Sequence, residues 1–161
     1  MDASGRGQLL LAYAKGPDRL QAALERYPEE SLDFRPEPGK WDIRTTVLHL
    51  AESELHGYLR GRTIIAEPGA PVQAFDQDRW ADTLDSSAQP LEEAVDLFRL
   101  LREMLARQLR SLPEAAWERH MLHPERGRVT LERWLEGYVD HLDAHLAQME
   151  RTYQAYRTAL A

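Results

Sequence analysis

The stretch TLERWLEGYVDHLDAHLAQMERTY, residues 130–153, decides the fold. Leu131, Leu135, Tyr138, Leu142, Leu146, Met149 and Tyr153 recur at three- and four-residue intervals, the spacing of one buried face of an α-helix. Thr130 offers an N-cap oxygen, and the pattern runs without a proline to about Ala159. So long an apolar stripe is covered most simply by other helices of similar length. Beside the stripe, His141 and His145 share a sector with Trp134 and Tyr138, away from Glu136, Asp140 and Asp143. Imidazoles four residues apart on a helix have Cβ atoms about 6 Å apart and can reach one metal ion.

Working outward, the partner helices are legible. Leu91, Ala94, Val95, Phe98, Leu101, Leu105, Leu109 and Leu112 follow one stripe; Glu92 and Glu93 near its start and Arg107 and Arg110 near its end suit the helix dipole, and Pro113 stops or bends it. Asp42 caps a helix running to about Ala66, with Val47, Leu48, Ala51, Leu55 and Leu59 as its inward face. In the first segment Leu9, Leu10 and Leu11 precede Gly16-Pro17, after which Leu20, Ala23, Leu24 and Tyr27 continue; proline suits a first turn, so the helix restarts or bends there. Residues 28–40, with Pro36, Pro38 and Gly39, form a loop. The connection from Pro68 to about Pro90 is long enough to carry chain the length of a bundle. No segment shows a sustained strand alternation. The expected fold is all-α: a four-helix bundle with long crossover connections, one domain over residues 1–161.

The 161 residues, 43% hydrophobic and 29% charged, suffice for a real core. A net charge of −7 has the wrong sign for a phosphate-backbone binder, and the short Arg60-Gly61-Arg62 cluster, which reads as a helix-end feature, does not reverse it. No nucleic-acid partner is expected. With no cysteine, disulfides, thiolate ligands and a cysteine nucleophile are excluded, and any metal takes nitrogen or oxygen donors. No apolar run approaches the ~20 residues of a membrane span, and Met1–Gly7 lacks the layout of a signal peptide, so a soluble, cytoplasmic protein is expected.

Two histidines need a third ligand to make an open site. His49, on the shoulder of the second helix, offers one; Glu52 and His56 lie on the same shoulder and are alternatives. Three neutral imidazoles with a vacant position are a catalytic zinc arrangement, and imidazole also suits nickel, iron and copper. His120 and His123 fall in a polar connection and read as solvent-exposed.

Further landmarks surround these histidines. They are Pro38-Gly39-Lys40-Trp41-Asp42-Ile43 ahead of His49-Leu50-Ala51-Glu52-Ser53-Glu54, then Ala74-Phe75-Asp76-Gln77-Asp78-Arg79-Trp80-Ala81. Leu100-Leu101-Arg102, Trp117-Glu118-Arg119, His123-Pro124-Glu125-Arg126-Gly127 and His141-Leu142-Asp143-Ala144-His145 follow. In order and spacing the chain resembles the DinB/YfiT-like superfamily of small helical metal-dependent proteins. The resemblance implies a four-helix bundle of distinctive crossover topology with one divalent metal, zinc, nickel, iron or manganese, on His49, His141 and His145. It implies a metal-dependent enzyme acting on a small molecule, a thiol-dependent S-transferase using a low-molecular-weight thiol or a hydrolase, and a homodimer to which Tyr153 and Tyr156 could contribute. The competing expectation is a non-enzymatic metal-binding stress-response or interaction protein with a structural ion.

Helpers can be named. Arg102 could bind a carboxylate or form a surface ion pair. Glu52 could orient a ligand or act as a base. Trp80 and Trp117 could line a pocket mouth or anchor their loops. Asp76 and Asp78 read as caps of a turn or short helix.

Overall fold

The computed structural model describes residues 2–85 and 88–161. Its helices are α1 (Ala3–Ala14), α2 (Gly16–Leu24), α3 (Ile43–Ala66), α4 (Gln77–Thr83), α5 (Leu91–Arg110) and α6 (Leu131–Ala159). Short 3-10 turns occupy Glu29–Ser31 and Glu114–Glu118, and a hairpin is formed by β1 (His120–His123) and β2 (Gly127–Thr130). Caps fall where side-chain chemistry demands them. Asp42 accepts from the Thr45 amide, Asp76 from the Arg79 amide and Thr130 from the Arg133 amide.

The broken first helix, α3, α5 and α6 form the bundle. α3 packs on both α5 and α6, and α1 and α2 pack on the same two, so the broken first helix lies diagonal to α3 and α5 lies diagonal to α6. α3 and α5 run in the same direction, Glu54 meeting Arg102 and Arg62 meeting Gln108, so the connection between them has to return along the length of the bundle. The break falls where Pro17 opens α2, and Gly16 beside it leaves room for Arg102: a Cβ on Gly16 would lie 2.2 Å from Nη1 of that arginine.

Two apolar clusters fill the interior. One gathers Leu20, Ile43, Val47, Phe98, Leu142 and Met149; the other gathers Tyr13, Ile64, Leu105, Leu109, Trp117 and Leu135. Between them lies a buried polar layer. The Arg102 Nε donates to Glu54 Oε2 at 2.8 Å, its Nη2 donates to the Tyr138 carbonyl at 2.8 Å, and the Tyr13 hydroxyl donates to Glu54 Oε1. The guanidinium is sandwiched 4.5 Å from each of the Tyr13 and Phe98 rings. Arg102 is therefore neither a surface ion pair nor open to a substrate: it is fully buried and its donors are used inside the core.

Several expectations change with the structure. The inward face of α3 is not the one that Leu55 and Leu59 mark, since these are 39% and 56% exposed. Leu50, Glu54, Gly57, Gly61 and Ile64 are buried instead, because the close approach of α5 and α6 selects small side chains and a paired carboxylate that apolarity does not score. The hairpin was absent from the all-helical reading, its four-residue strands being too short to show a period of two. Its register pairs His123 with Gly127, and the Ala70 carbonyl and Val72 amide bond to Leu122 alongside. This ties the long connection to the hairpin. Tyr153 and Tyr156 pack on Tyr27 and Phe34 of the same chain. Trp117 is buried beneath Arg6, anchoring its loop. Among the described residues no helix is long and apolar enough to cross a membrane.

Candidate metal centre

α3 brings His49, and α6 brings His141 and His145, to one point. His141 Nε2 lies 3.1 Å from His49 Nε2 and 3.1 Å from His145 Nε2, and the ligand atoms of the three rings all fall within 4.8 Å of one another. Two nitrogens at zinc bond lengths in a tetrahedron stand about 3.3 Å apart. The donor set thus fits one small divalent cation.

Burial sets the protonation of these rings. Desolvation, reinforced by the charge of neighbouring histidines, pushes His49 down to about 4 and His141 to about 3. His145 is also lowered by burial, against the opposing hydrogen bond with Gln148. At neutral pH the three are uncharged, with nitrogen lone pairs available.

Supporting contacts orient the rings. His145 Nδ1 lies 3.0 Å from Gln148 Oε1, so Nδ1 carries the proton and Nε2 the lone pair. The Gln148 amide reaches Thr46 Oγ1 at 3.5 Å, and the Thr46 hydroxyl donates to the Asp42 carbonyl at 2.8 Å. The N-cap of α3 is in this way linked to a ring on α6. Trp41 packs 4.9 Å from the His49 ring and lies nearly parallel to His145 at 6.3 Å, walling one side of the cluster. His49 Nδ1 is buried without a hydrogen-bond partner among the described residues.

Other candidates fall elsewhere. Glu52 lies in a small crevice with His49 and Trp80, outside the converging group, and burial raises its carboxyl. His56 is also outside the group, stacked 4.2 Å from Phe75. Trp80 packs edge-on to both His56 and Phe75. His123 is not solvent-exposed: it is 8% accessible, because β1 turns it inward toward a cavity. His120 is half-buried on the same strand. Asp78 lies in the first turn of α4.

A cavity of about 650 Å³ opens beside the three histidines. His141 and Tyr138 line it from α6, Arg60 from α3, Phe75 from the connection, and His123 and Arg126 from the hairpin. Sequence reasoning overlooked Arg60, although His49, Ser53, His56 and Arg60 follow a helical repeat of four, three and four that marks one face. For His123 and Arg126 no local pattern could have done so, since the hairpin alone brings them to α6.

Comparisons with known proteins agree with this architecture. A protein of Bacillus licheniformis named "putative metal-dependent hydrolase" is 30% identical over 137 residues, 84% of this chain and 78% of its own length. YfiT of Bacillus subtilis, of the same description, is 28% identical over 134 residues, 83% of this chain and 75% of its own. The solved structure of YfiT, a four-helix bundle of unusual topology, superposes with a TM-score of 0.89 at 24% identity, covering 96% of this chain and 89% of that one. The profile of the DinB superfamily matches residues 12–149, and the chain belongs to that superfamily.

Proposed function

We propose that the protein is a metal-dependent enzyme in which His49, His141 and His145 hold one divalent transition ion, zinc, nickel, iron or manganese, beside a cavity that admits a small molecule. The observation that carries this reading is the meeting of three uncharged imidazoles, one of which, His141, also lines the cavity. A structural ion usually has four protein donors, whereas among the described residues this group has three. The names of the relatives favour hydrolysis; a low-molecular-weight thiol in place of water would make the reaction an S-transfer.

A divalent ion at this position supplies Lewis acidity, which lowers the pKa of water or of a thiol toward neutrality. The protein's own part is orientation and exclusion of water. Gln148 holds the His145 ring in the tautomer whose Nε2 is free to coordinate. Trp41 covers the face of His49 and His145. Tyr138, whose hydroxyl donates to the Ser53 carbonyl at 3.3 Å, is kept protonated by burial and forms a wall of the cavity. Glu52 is the candidate proton acceptor on the crevice side of His49.

The test is the metal content of tag-free protein by inductively coupled plasma mass spectrometry, beside a His145→Ala variant checked for helicity by circular dichroism. Near-stoichiometric metal in the parent, lost from a folded variant, is expected. Absence of metal from the parent even after incubation with zinc, nickel, iron and manganese would overturn the reading.

A further inference from the structure

The cavity beside the three histidines has an electrostatic character that the chain as a whole does not share. Three arginines, Arg60, Arg126 and Arg133, line it against two carboxylates, Asp76 and Glu125, an excess of one positive charge in a chain of net charge −7. Arg133 is paired with Glu136 at 2.8 Å, and one Asp76 oxygen is engaged in capping α4. Arg60 and Arg126 are left as the principal cations.

Arg60 is held by the Gln73 carbonyl and meets the Tyr138 hydroxyl, which leaves part of its guanidinium uncommitted. Its Nη2 donates to the Gln73 carbonyl at 2.6 Å, which fixes the guanidinium, while its Nε is buried without a partner among the described residues. Trp134, on the same cavity wall, has its indole N–H buried and equally unpartnered. A buried donor that lacks an acceptor is costly, and two in one cavity wall point to an acceptor supplied from outside the chain.

His123 adds a third kind of donor. The amides of Glu125 and Arg126 approach its Nδ1 at 3.2 and 3.4 Å, so Nδ1 is the acceptor and Nε2 carries the proton of the neutral ring. No hydrogen-bond partner for Nε2 is found among the described residues. The hairpin turn that places Arg126 at the cavity therefore also sets the tautomer of His123.

We propose that this cavity binds a small molecule through a carboxylate, held by Arg60 and Arg126 with the Nε2–H of His123, so that the rest of the molecule lies toward His141. This rests on the metal-centre reading only for the direction in which the bound molecule points. The fork of an arginine matches the two oxygens of a carboxylate, and a lining in which Arg60 and Arg126 face Asp76 and Glu125, with Arg133 paired to Glu136, has too little positive charge to favour a phosphate dianion. Arg60 is tethered before any ligand arrives, so little order remains to be imposed on binding.

The experiment is an NMR titration of the full chain, zinc-loaded and metal-free, with succinate, with the uncharged succinamide and with inorganic phosphate. The signals followed are the Glu125 and Arg126 amides and the Trp134 indole N–H. Succinate is expected to shift all three saturably and succinamide not at all. Arg126→Gln, an exposed change that leaves the core untouched, should weaken succinate about tenfold while zinc content stays at the parent level. Arg60→Gln should weaken it further. Equal responses to succinate and succinamide, or an unchanged affinity in Arg126→Gln, would overturn the proposal. Tighter binding of phosphate than of succinate would overturn its assignment to a carboxylate. Succinate binding to a protein that takes up no zinc would leave the anion site standing and remove the metal reading alone.

Discussion

Two buried polar regions lie within two helical turns of each other in this bundle, and they solve the problem of burial in opposite ways. In the layer of Arg102, Glu54 and Tyr13, opposite charges meet inside the core. The guanidinium donates to a carboxylate and to the Tyr138 carbonyl, and the carboxylate also accepts from a phenol. In the layer of His49, His141 and His145, three like groups meet, burial keeps them uncharged, and their Nε2 atoms converge, His141 standing 3.1 Å from each of the other two. The first region is closed by its own members. The second, on the function proposed above, is completed by a cation. A buried polar cluster whose donors and acceptors balance is structural; one with surplus acceptors pointing at a common centre is a site.

Breaking the closed region should have the largest effect. Arg102→Ala leaves the Glu54 carboxylate buried and unpaired, and the loss expected is about 3–5 kcal/mol in denaturant-monitored unfolding. The double variant Arg102→Met with Glu54→Gln removes the stranded charge and should recover part of that loss. Were Arg102→Ala to cost only as much as an exposed ion pair, under about 1 kcal/mol, the layer would have to be wet and the contrast with the histidines would collapse.

The two regions differed as much in legibility. His141 and His145 could be singled out because four residues on a helix is a distance, and the landmark at Trp41 made His49 their companion; the structure brings those three together. Arg102 was misplaced because nothing local tells a buried arginine from a surface one. Its partner Glu54 lies 48 residues earlier, and the glycine that makes room for it lies on another helix. Leu55 and Leu59 misled for a related reason: apolarity marks a buried face only where packing is loose enough to admit large side chains. The cavity was the least legible part. Its walls come from a connection and a short hairpin, and strands of four residues carry too little periodicity to be read.

Tyr138 belongs to both regions, since its carbonyl accepts from Arg102 and its ring lies 6.3 Å from His141. Gly57 is what lets that ring sit against α3, for a Cβ there would lie 2.4 Å from a Tyr138 ring carbon. Gly57→Ala should therefore cost about 1–3 kcal/mol by overpacking, despite the better helix propensity of alanine, and should weaken zinc binding by displacing α6 from α3. The control is Gly7→Ala in α1, where nothing lies within 4 Å of the new atom; it should stabilise by about 0.5–1 kcal/mol. If both glycines responded alike to unfolding assays, close approach would not be what holds the two helices at the site.

The smallest change separates orientation from packing within the open region. Gln148 is half-buried, and the hydrogen bond its Oε1 accepts from the Nδ1–H of His145 is what leaves Nε2 with its lone pair free. Gln148→Ala should lower zinc affinity about tenfold, measured by competition with a chelator, while unfolding of the metal-free protein stays close to that of the parent. Gln148→Glu keeps an acceptor at the same reach and should restore most of the affinity. The parallel indole of Trp41 offers the His145 ring a second means of support, so unchanged affinity in Gln148→Ala would assign the orientation of the ring to stacking. The open region would then resemble the closed one in a single respect: its geometry would be set by what surrounds the polar atoms, with the hydrogen bond a consequence of that geometry.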